Sequence, residues 1–127
     1  MKELRRVVVT GIGTINPIGS NIEEYFTNLE NGVSGAAEIT LFDATNFKSR
    51  IACEVKNYNW QDHFDRKEVR KHDRFCQFAL ISATEAIEDA KFDFDTLNKE
   101  RVGVVWSSGI GGLQSFFEEV VDWAEGD

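Results

Sequence analysis

The sequence has one proline, one methionine (Met1), two cysteines and two histidines in 127 residues. The cysteines, Cys53 and Cys76, stand alone 23 positions apart. That spacing offers neither a disulfide framework nor a zinc-ligand pair, and it predicts a reduced, cytoplasmic protein. His63 and His72, flanked by Asp62, Asp65 and Asp73, do not converge on one helix face, so they read as solvated or locally hydrogen-bonded side chains rather than metal ligands. No apolar run approaches the ~20 residues that span a bilayer. The charged start Met1-Lys2-Glu3-Leu4-Arg5-Arg6 leads into an apolar run, Val7-Val8-Val9, too short for a signal-peptide core. Basic charge is also in short supply: 14 Lys and Arg against 22 Asp and Glu give a net charge of −8, which disfavours nucleic acid and anionic membrane as partners.

What is present is globular in character. Hydrophobic residues make up 42% and charged residues 28%, which excludes a disordered, collagen-like or low-complexity chain. Ten of the side chains are Phe, a large apolar allotment for so short a chain. The charge is unevenly placed: residues 118–127 carry five acids and no base, whereas residues 65–74 carry five bases (Arg66, Lys67, Arg70, Lys71, Arg74) against three acids. The second stretch is therefore where an anionic partner is expected.

Val7-Val8-Val9-Thr10 followed by Gly11-Ile12-Gly13 predicts a strand buried on both faces entering a tight turn. After a loop at residues 16–21, Asn21 can cap a helix with Glu23 and Glu24 in its first turn and Ile22, Phe26 and Leu29 on one face, ended by Asn31-Gly32. Residues 33–60 read as irregular, with short candidate strands at 38–42 and 51–55. Residues 75, 79, 83, 86 and 90 recur at helical spacing, and the first half of that helix is apolar nearly all round, so it is expected to be buried. Val102-Gly103-Val104-Val105-Trp106 predicts a second buried strand, then Ser107-Ser108-Gly109-Ile110-Gly111-Gly112 opens an amphipathic helix through Leu113, Phe116, Phe117, Val120 and Val121. Strand, glycine turn and helix occur twice, which argues for an α/β fold with a parallel or mixed sheet. Two such strands are fewer than the about five to six of a mean sheet, so the chain reads as the start of something larger, with Phe75, Phe78, Phe116 and Phe117 expecting partners.

Gly11-x-Gly13 invites a dinucleotide-binding reading, but Asn16-Pro17 replaces the third glycine and no acidic residue follows a second strand to hold a ribose. The second glycine turn lacks the Lys-[Ser/Thr] of a phosphate loop, so its glycines read as allowing close backbone packing. Ile110 is the exception there, a bulky apolar side chain on a deformable turn, suited to a gate or pocket wall. Cys76, in an apolar helix, lacks the marks of a nucleophile, as does Cys53. At helical spacing, 66/70 and 67/71 share a face with Arg74 in line. Either a solvated face tempered by Glu68 and Asp73 or a docking patch for an acidic protein or phosphate group would follow.

Four segments in series carry a resemblance: Arg5-Arg6-Val7-Val8-Val9-Thr10-Gly11-Ile12-Gly13; Asn16-Pro17-Ile18-Gly19; Arg66-Lys67-Glu68-Val69-Arg70-Lys71-x-Asp73-Arg74-Phe75-x-Gln77-Phe78-Ala79; and Ser108-Gly109-Ile110-Gly111-Gly112-Leu113. In order and spacing they resemble the amino-terminal region of β-ketoacyl-acyl-carrier-protein synthase II, a condensing enzyme of the thiolase superfamily. The resemblance implies an α/β, thiolase-like fold of layered α/β/α/β/α type, with residues 1–127 as the amino-terminal part of the synthase domain. It also implies a homodimeric acyltransferase of fatty acid biosynthesis that needs no cofactor and acts on acyl carrier protein bearing acyl and malonyl groups. On this reading Lys67, Arg70 and Lys71 match the carrier-protein docking patch and Ile110 matches the acyl-pocket gate. The catalytic Cys and two His lie downstream, so this chain holds no catalytic residue and is expected to be inactive alone. Trp106-Ser107-Ser108 departs from the small residues more usual in the family. A non-catalytic subunit resembling a chain length factor, or a stand-alone carrier-protein-binding module, are the alternatives.

Overall fold

A computed structural model of the chain describes residues 4–126; residues 1–3 and 127, which belong to the charged start and the acidic end, lie outside the described residues. In chain order the regular elements are helix α1 (Ile22–Glu30), strands β1 (Ala36–Glu38) and β2 (Ile51–Cys53), the four-residue helix α2 (Arg66–Val69), and the long helices α3 (Arg74–Ala90) and α4 (Leu113–Glu125). Short 3-10 turns precede α2 at Trp60–Asp62 and α4 at Lys99–Arg101.

Local chemistry explains the elements that form as expected. Asn21 accepts a hydrogen bond from the Glu24 amide at 2.8 Å, satisfying a donor that the first turn of α1 would leave free. Glu24 in turn accepts from the Ser20 amide and hydroxyl, at 2.8 and 2.5 Å, which holds its carboxyl below the usual carboxylate range. Gly32 leaves α1 at a φ of 66°, in the left-handed region where glycine costs least. β1 and β2 pair antiparallel with Ala37 opposite Ala52. The first of the two candidate strands is thus displaced toward the N-terminus, from 38–42 to Ala36–Glu38.

The two strands expected to be central are not strands of any sheet among the described residues: neither 7–10 nor 102–106 has a ladder partner, and the sheet that exists is the two-stranded β1–β2 pair. A strand buried on both faces needs a neighbour along each edge. Without one, Val7 is 89% and Val105 98% exposed. The backbone of the first segment turns instead to α3. The Ile12 amide donates to Asp89 (3.0 Å) and the Thr14 amide to Glu85 (2.8 Å), two carboxylates one turn apart on that helix. The other oxygen of Glu85 accepts from the Ile22 amide at 2.8 Å, so one side chain ties the glycine turn and the start of α1 to α3.

This crossing also accounts for the first glycine pair. A Cβ at Gly11 would strike the backbone oxygen of Ala86 and come within 2.6 Å of the Ala90 nitrogen; one at Gly13 would strike the Ser82 oxygen and come within 2.7 Å of the Ala86 nitrogen. Ser82, Ala86 and Ala90 form a stripe of small residues at i, i+4, i+8, and the glycines lie along it. Their role is backbone approach to a helix, not to a pyrophosphate.

α3 spans the residues its periodicity predicts, but it is half-buried rather than enclosed: only Gln77 and Ser82 are buried, and Leu80 is exposed. Ala44, at 9%, is the one buried apolar residue among those described. Of the four Phe expected to seek partners, Phe78 packs edge-on against Tyr58 at 5.0 Å and Phe75 touches Gly111, whereas Phe116 and Phe117 on α4 stay exposed. No helix among the described residues is long and apolar enough to cross a membrane.

Two outcomes follow. The isolated chain should bind a hydrophobic dye and self-associate, because it exposes Val7, Val9, Val104, Val105, Phe116 and Phe117 together; a monomeric, cooperatively melting, dye-silent chain would contradict that. Replacing Glu85 with Ala should speed hydrogen exchange at the Thr14 and Ile22 amides by about tenfold, the worth of a hydrogen bond to a charged acceptor. Glu85→Gln, which keeps one acceptor oxygen, should fall between, and unchanged exchange at both amides in Glu85→Ala would remove Glu85 from this role.

Candidate functional site

The basic segment folds differently from the single helix its spacing suggests. Asp65 caps α2, accepting from the Lys67 and Glu68 amides at 2.7 and 2.8 Å, while Glu68 reaches back to the Asp65 amide to complete a capping box. The helix nevertheless stops at Val69. Arg70 is its C-cap, residues 70–72 form a turn, and α3 restarts at Arg74. Lys67, Arg70 and Lys71 are all exposed on α2 and this turn. Arg74 does not continue their line, as the helical spacing had suggested.

Arg74 points into the molecule. Its guanidinium donates to the Val55 carbonyl at 3.0 Å and lies 5.6 and 5.2 Å from the ring centres of Tyr58 and Phe78. The Tyr58 hydroxyl donates to Gln77 Oε1 at 2.5 Å, and Gln77 Nε2 donates to the His72 carbonyl at 2.7 Å. Burial pushes the Tyr58 phenol above its ordinary value, with the Arg74 charge opposing. Gln77, 8% exposed, thus spends its carboxamide fixing the end of the basic turn. Neither Gln77 nor the tyrosine beneath it stands out in the sequence; the signal available was a lone amide inside an apolar helix.

Across from this turn lies the second glycine turn. Ser108 Oγ accepts from the Gly111 amide at 3.1 Å, Gly111 adopts a φ of 79°, and Gly112 is the N-cap of α4, offering it no side chain. The two turns enclose an open groove of about 490 Å³ lined by Arg70, Lys71, Arg74, Gly111, Ser115 and Glu118, among others. The structure therefore brings Arg70 and Lys71 to one groove with the residues that follow Ile110. Lys67 stays on α2 outside the lining, and Ile110, 76% exposed, borders it through Gly111.

The other candidates do not gather into a site. Cys53 is exposed on β2, and Cys76 is half-buried on α3 rather than enclosed. His63 stacks on the Tyr58 ring with centroids 6.1 Å apart. Among the described residues no group of three or more His, Cys, Asp or Glu side chains could hold a metal ion. A larger groove, about 840 Å³, runs between the 15–21 loop, residues 55–64 and α3, with Glu85 already engaged in its wall.

The basic turn that leads into α3 thus faces, across one groove, the glycine turn that leads into α4, an arrangement within a mixed helix-and-strand unit of the ketosynthase class. The chain belongs to the β-ketoacyl synthases: the model of the beta-ketoacyl synthase N-terminal domain matches residues 4–125. It is 41% identical over 116 residues to a 3-oxoacyl-[acyl-carrier-protein] synthase 2 of Staphylococcus aureus, covering 91% of this chain and 28% of that protein. A Synechocystis protein of the same name is 44% identical over 112 residues, covering 88% and 27%. Among solved structures, the ishigamide ketosynthase/chain length factor superposes with a TM-score of 0.82 and 32% identity over 97% of this chain and 31% of that one. The fold is accordingly thiolase-like, and the chain spans a little over a quarter of the length of the curated relatives it matches.

Proposed function

We propose that this chain is the amino-terminal part of the catalytic domain of a β-ketoacyl-acyl-carrier-protein synthase II, a cytoplasmic homodimeric acyltransferase that elongates acyl chains in fatty acid biosynthesis. In that reaction an acyl group passes from carrier protein to a cysteine thiolate. Malonyl-carrier protein then loses CO₂, and the electron pair left on its α-carbon attacks the acyl thioester, forming the new carbon–carbon bond and expelling the thiolate. The nucleophile and the histidines that stabilise the developing enolate lie beyond residue 127. The remainder of the synthase also supplies the sheet neighbours that residues 7–10 and 102–106 lack here. What this chain contributes is reception: Lys67, Arg70 and Lys71 dock the acidic carrier protein, and Ile110 gates the acyl pocket.

The observation that carries the reading is the shared groove, in a family member 41–44% identical to two synthases of that name. Exposed cations on a turn held rigid by Gln77 and the α2 capping box form a preorganised surface for carboxylates in a chain that is otherwise acidic. A second reading, a non-catalytic chain length factor, is favoured by the likeness to the ishigamide ketosynthase/chain length factor alone. A cysteine at the strand-turn-helix nucleophile position of the complete reading frame separates the two.

Changing Lys67, Arg70 and Lys71 together to Glu should weaken binding of acyl carrier protein by tenfold or more at low ionic strength and abolish its salt dependence, while Arg50→Glu, an exposed base just before β2 and outside the groove lining, should not. Unchanged affinity in the triple variant would end the docking assignment. Residues 1–127 alone should release CO₂ from malonyl-carrier protein only at the background rate; measurable turnover would overturn the placement of all catalytic groups downstream.

A further inference from the structure

Asp73 stands at the N-cap of α3, yet its side chain makes no capping hydrogen bond to its own helix. Aspartate is among the best N-cap residues, and leaving that bond unmade costs α3 stability. The carboxylate is engaged elsewhere: Oδ1 accepts from the hydroxyl of Ser115, 42 residues further on, in the first turn of α4. It also lies hard against Gly112, where a Cβ would come within 2.6 Å of Asp73 Cγ. α4 thus begins on a glycine that cannot cap it, and a carboxylate borrowed from the head of α3 sits at its positive end. Phe75, two residues beyond Asp73, lies beside the same turn, where a Cβ added at Gly111 would meet its ring at 3.7 Å.

We infer that Asp73 is a positioning residue, a latch through Ser115 that couples the turn bearing Arg70 and Lys71 to the glycine turn bearing Ile110. The inference rests on the docking and gating roles proposed above and adds the link between them. Arg70, Lys71 and Arg74 line one groove with Asp73 and Glu118; with Arg74 turned to the Val55 carbonyl, Arg70 and Lys71 supply the exposed positive charge that offsets the two carboxylates there. An acidic partner that engages Arg70 and Lys71 removes that offset and adds like charge beside Asp73. The hold on Ser115 weakens, and the turn at 108–112 gains freedom to move Ile110. Occupation of the docking surface is in this way reported to the acyl gate across a single hydrogen bond, through two turns with few other contacts to restrain them.

The test is hydrogen exchange of the synthase with and without holo-acyl carrier protein, alongside acyl-chain selectivity in kcat/KM. In the native protein, saturating carrier protein should speed exchange of the 109–113 amides by about tenfold, the factor that loss of a hydrogen bond to a charged acceptor supplies. Ser115→Ala should show that faster exchange without carrier protein and no further rise with it, should bind carrier protein more tightly by up to about tenfold because a partner that loosens the latch binds the unlatched form better, and should shift selectivity between short and long acyl chains. Gly112→Ala, which evicts the Asp73 carboxylate sterically, should behave like Ser115→Ala; Asp73→Asn, which retains an acceptor oxygen, should preserve most of the native response. Exchange at 109–113 that is the same in Ser115→Ala and native protein, free and bound, would overturn the latch, as would loss of carrier binding in Ser115→Ala. Retained carrier binding in the Lys67, Arg70 and Lys71 triple variant would overturn the docking reading alone, because the carrier-free comparison of Ser115→Ala with native protein still decides whether the latch exists.

Discussion

The carboxylate of Glu85 is the contact on which the arrangement of the N-terminal third depends. With Ala44 the single buried apolar residue among those described, the chain does not hold its segments together through a closed hydrophobic core. It relies on polar side chains of one helix capturing backbone groups of its neighbours. Glu85 accepts from Thr14 and Ile22, and Asp89 from Ile12, so both the glycine turn and α1 take their positions from α3. Each bond pairs a peptide N–H with an ionised acceptor, stronger than a neutral pair and directional enough to fix a crossing. The glycine pair and the Ser82, Ala86, Ala90 stripe belong to the same device, because the amides reach those carboxylates only if the two backbones can nearly touch.

The other end of α3 repeats the principle with different groups. Gln77 holds the His72 carbonyl, Arg74 the Val55 carbonyl, and Asp73 the Ser115 hydroxyl. These three residues face three directions from one helical turn and leave Arg70 and Lys71, just before them, as free cations at the surface. The division of labour among five nearby bases and acids is therefore positional. Arg74 is spent on rings and a carbonyl inside the molecule, whereas its neighbours keep their charge available to a partner. A turn fixed from beneath, with its cations exposed above, presents positive charge at a set place on a chain that is otherwise acidic.

How much was legible beforehand varies with the range of the interaction. The caps of α1 and the existence of α3 and α4 are written in neighbouring residues, since Asn21, the 3.6-residue spacing and Gly32 act over a turn or less. The family was legible for another reason: four short motifs in order specify a lineage even where no one of them specifies a structure. The helix break after Val69 was not legible, because the spacing of Arg66, Lys67, Arg70, Lys71 and Arg74 satisfies an unbroken helix. Beside that break Gln77 holds the His72 carbonyl and Arg74 turns away to the Val55 carbonyl, 19 residues off, and helical spacing encodes neither contact.

The strongest β signals in the chain, Val7–Thr10 and Val102–Trp106, show the limit most plainly. Composition fixes that these segments want burial; it cannot supply the edges they pair with, and among the described residues none exists. The sequence by itself determined α1, α3, α4, the charge asymmetry and the family, because each depends on local spacing, on composition or on short motifs in order. The tertiary structure alone decided which cations stay free, that Asp73 serves α4 rather than its own helix, and that the basic turn and the Ile110 turn share one groove. Those outcomes depend on contacts between residues as much as 42 positions apart, as Asp73 and Ser115 are, and no local pattern encodes them.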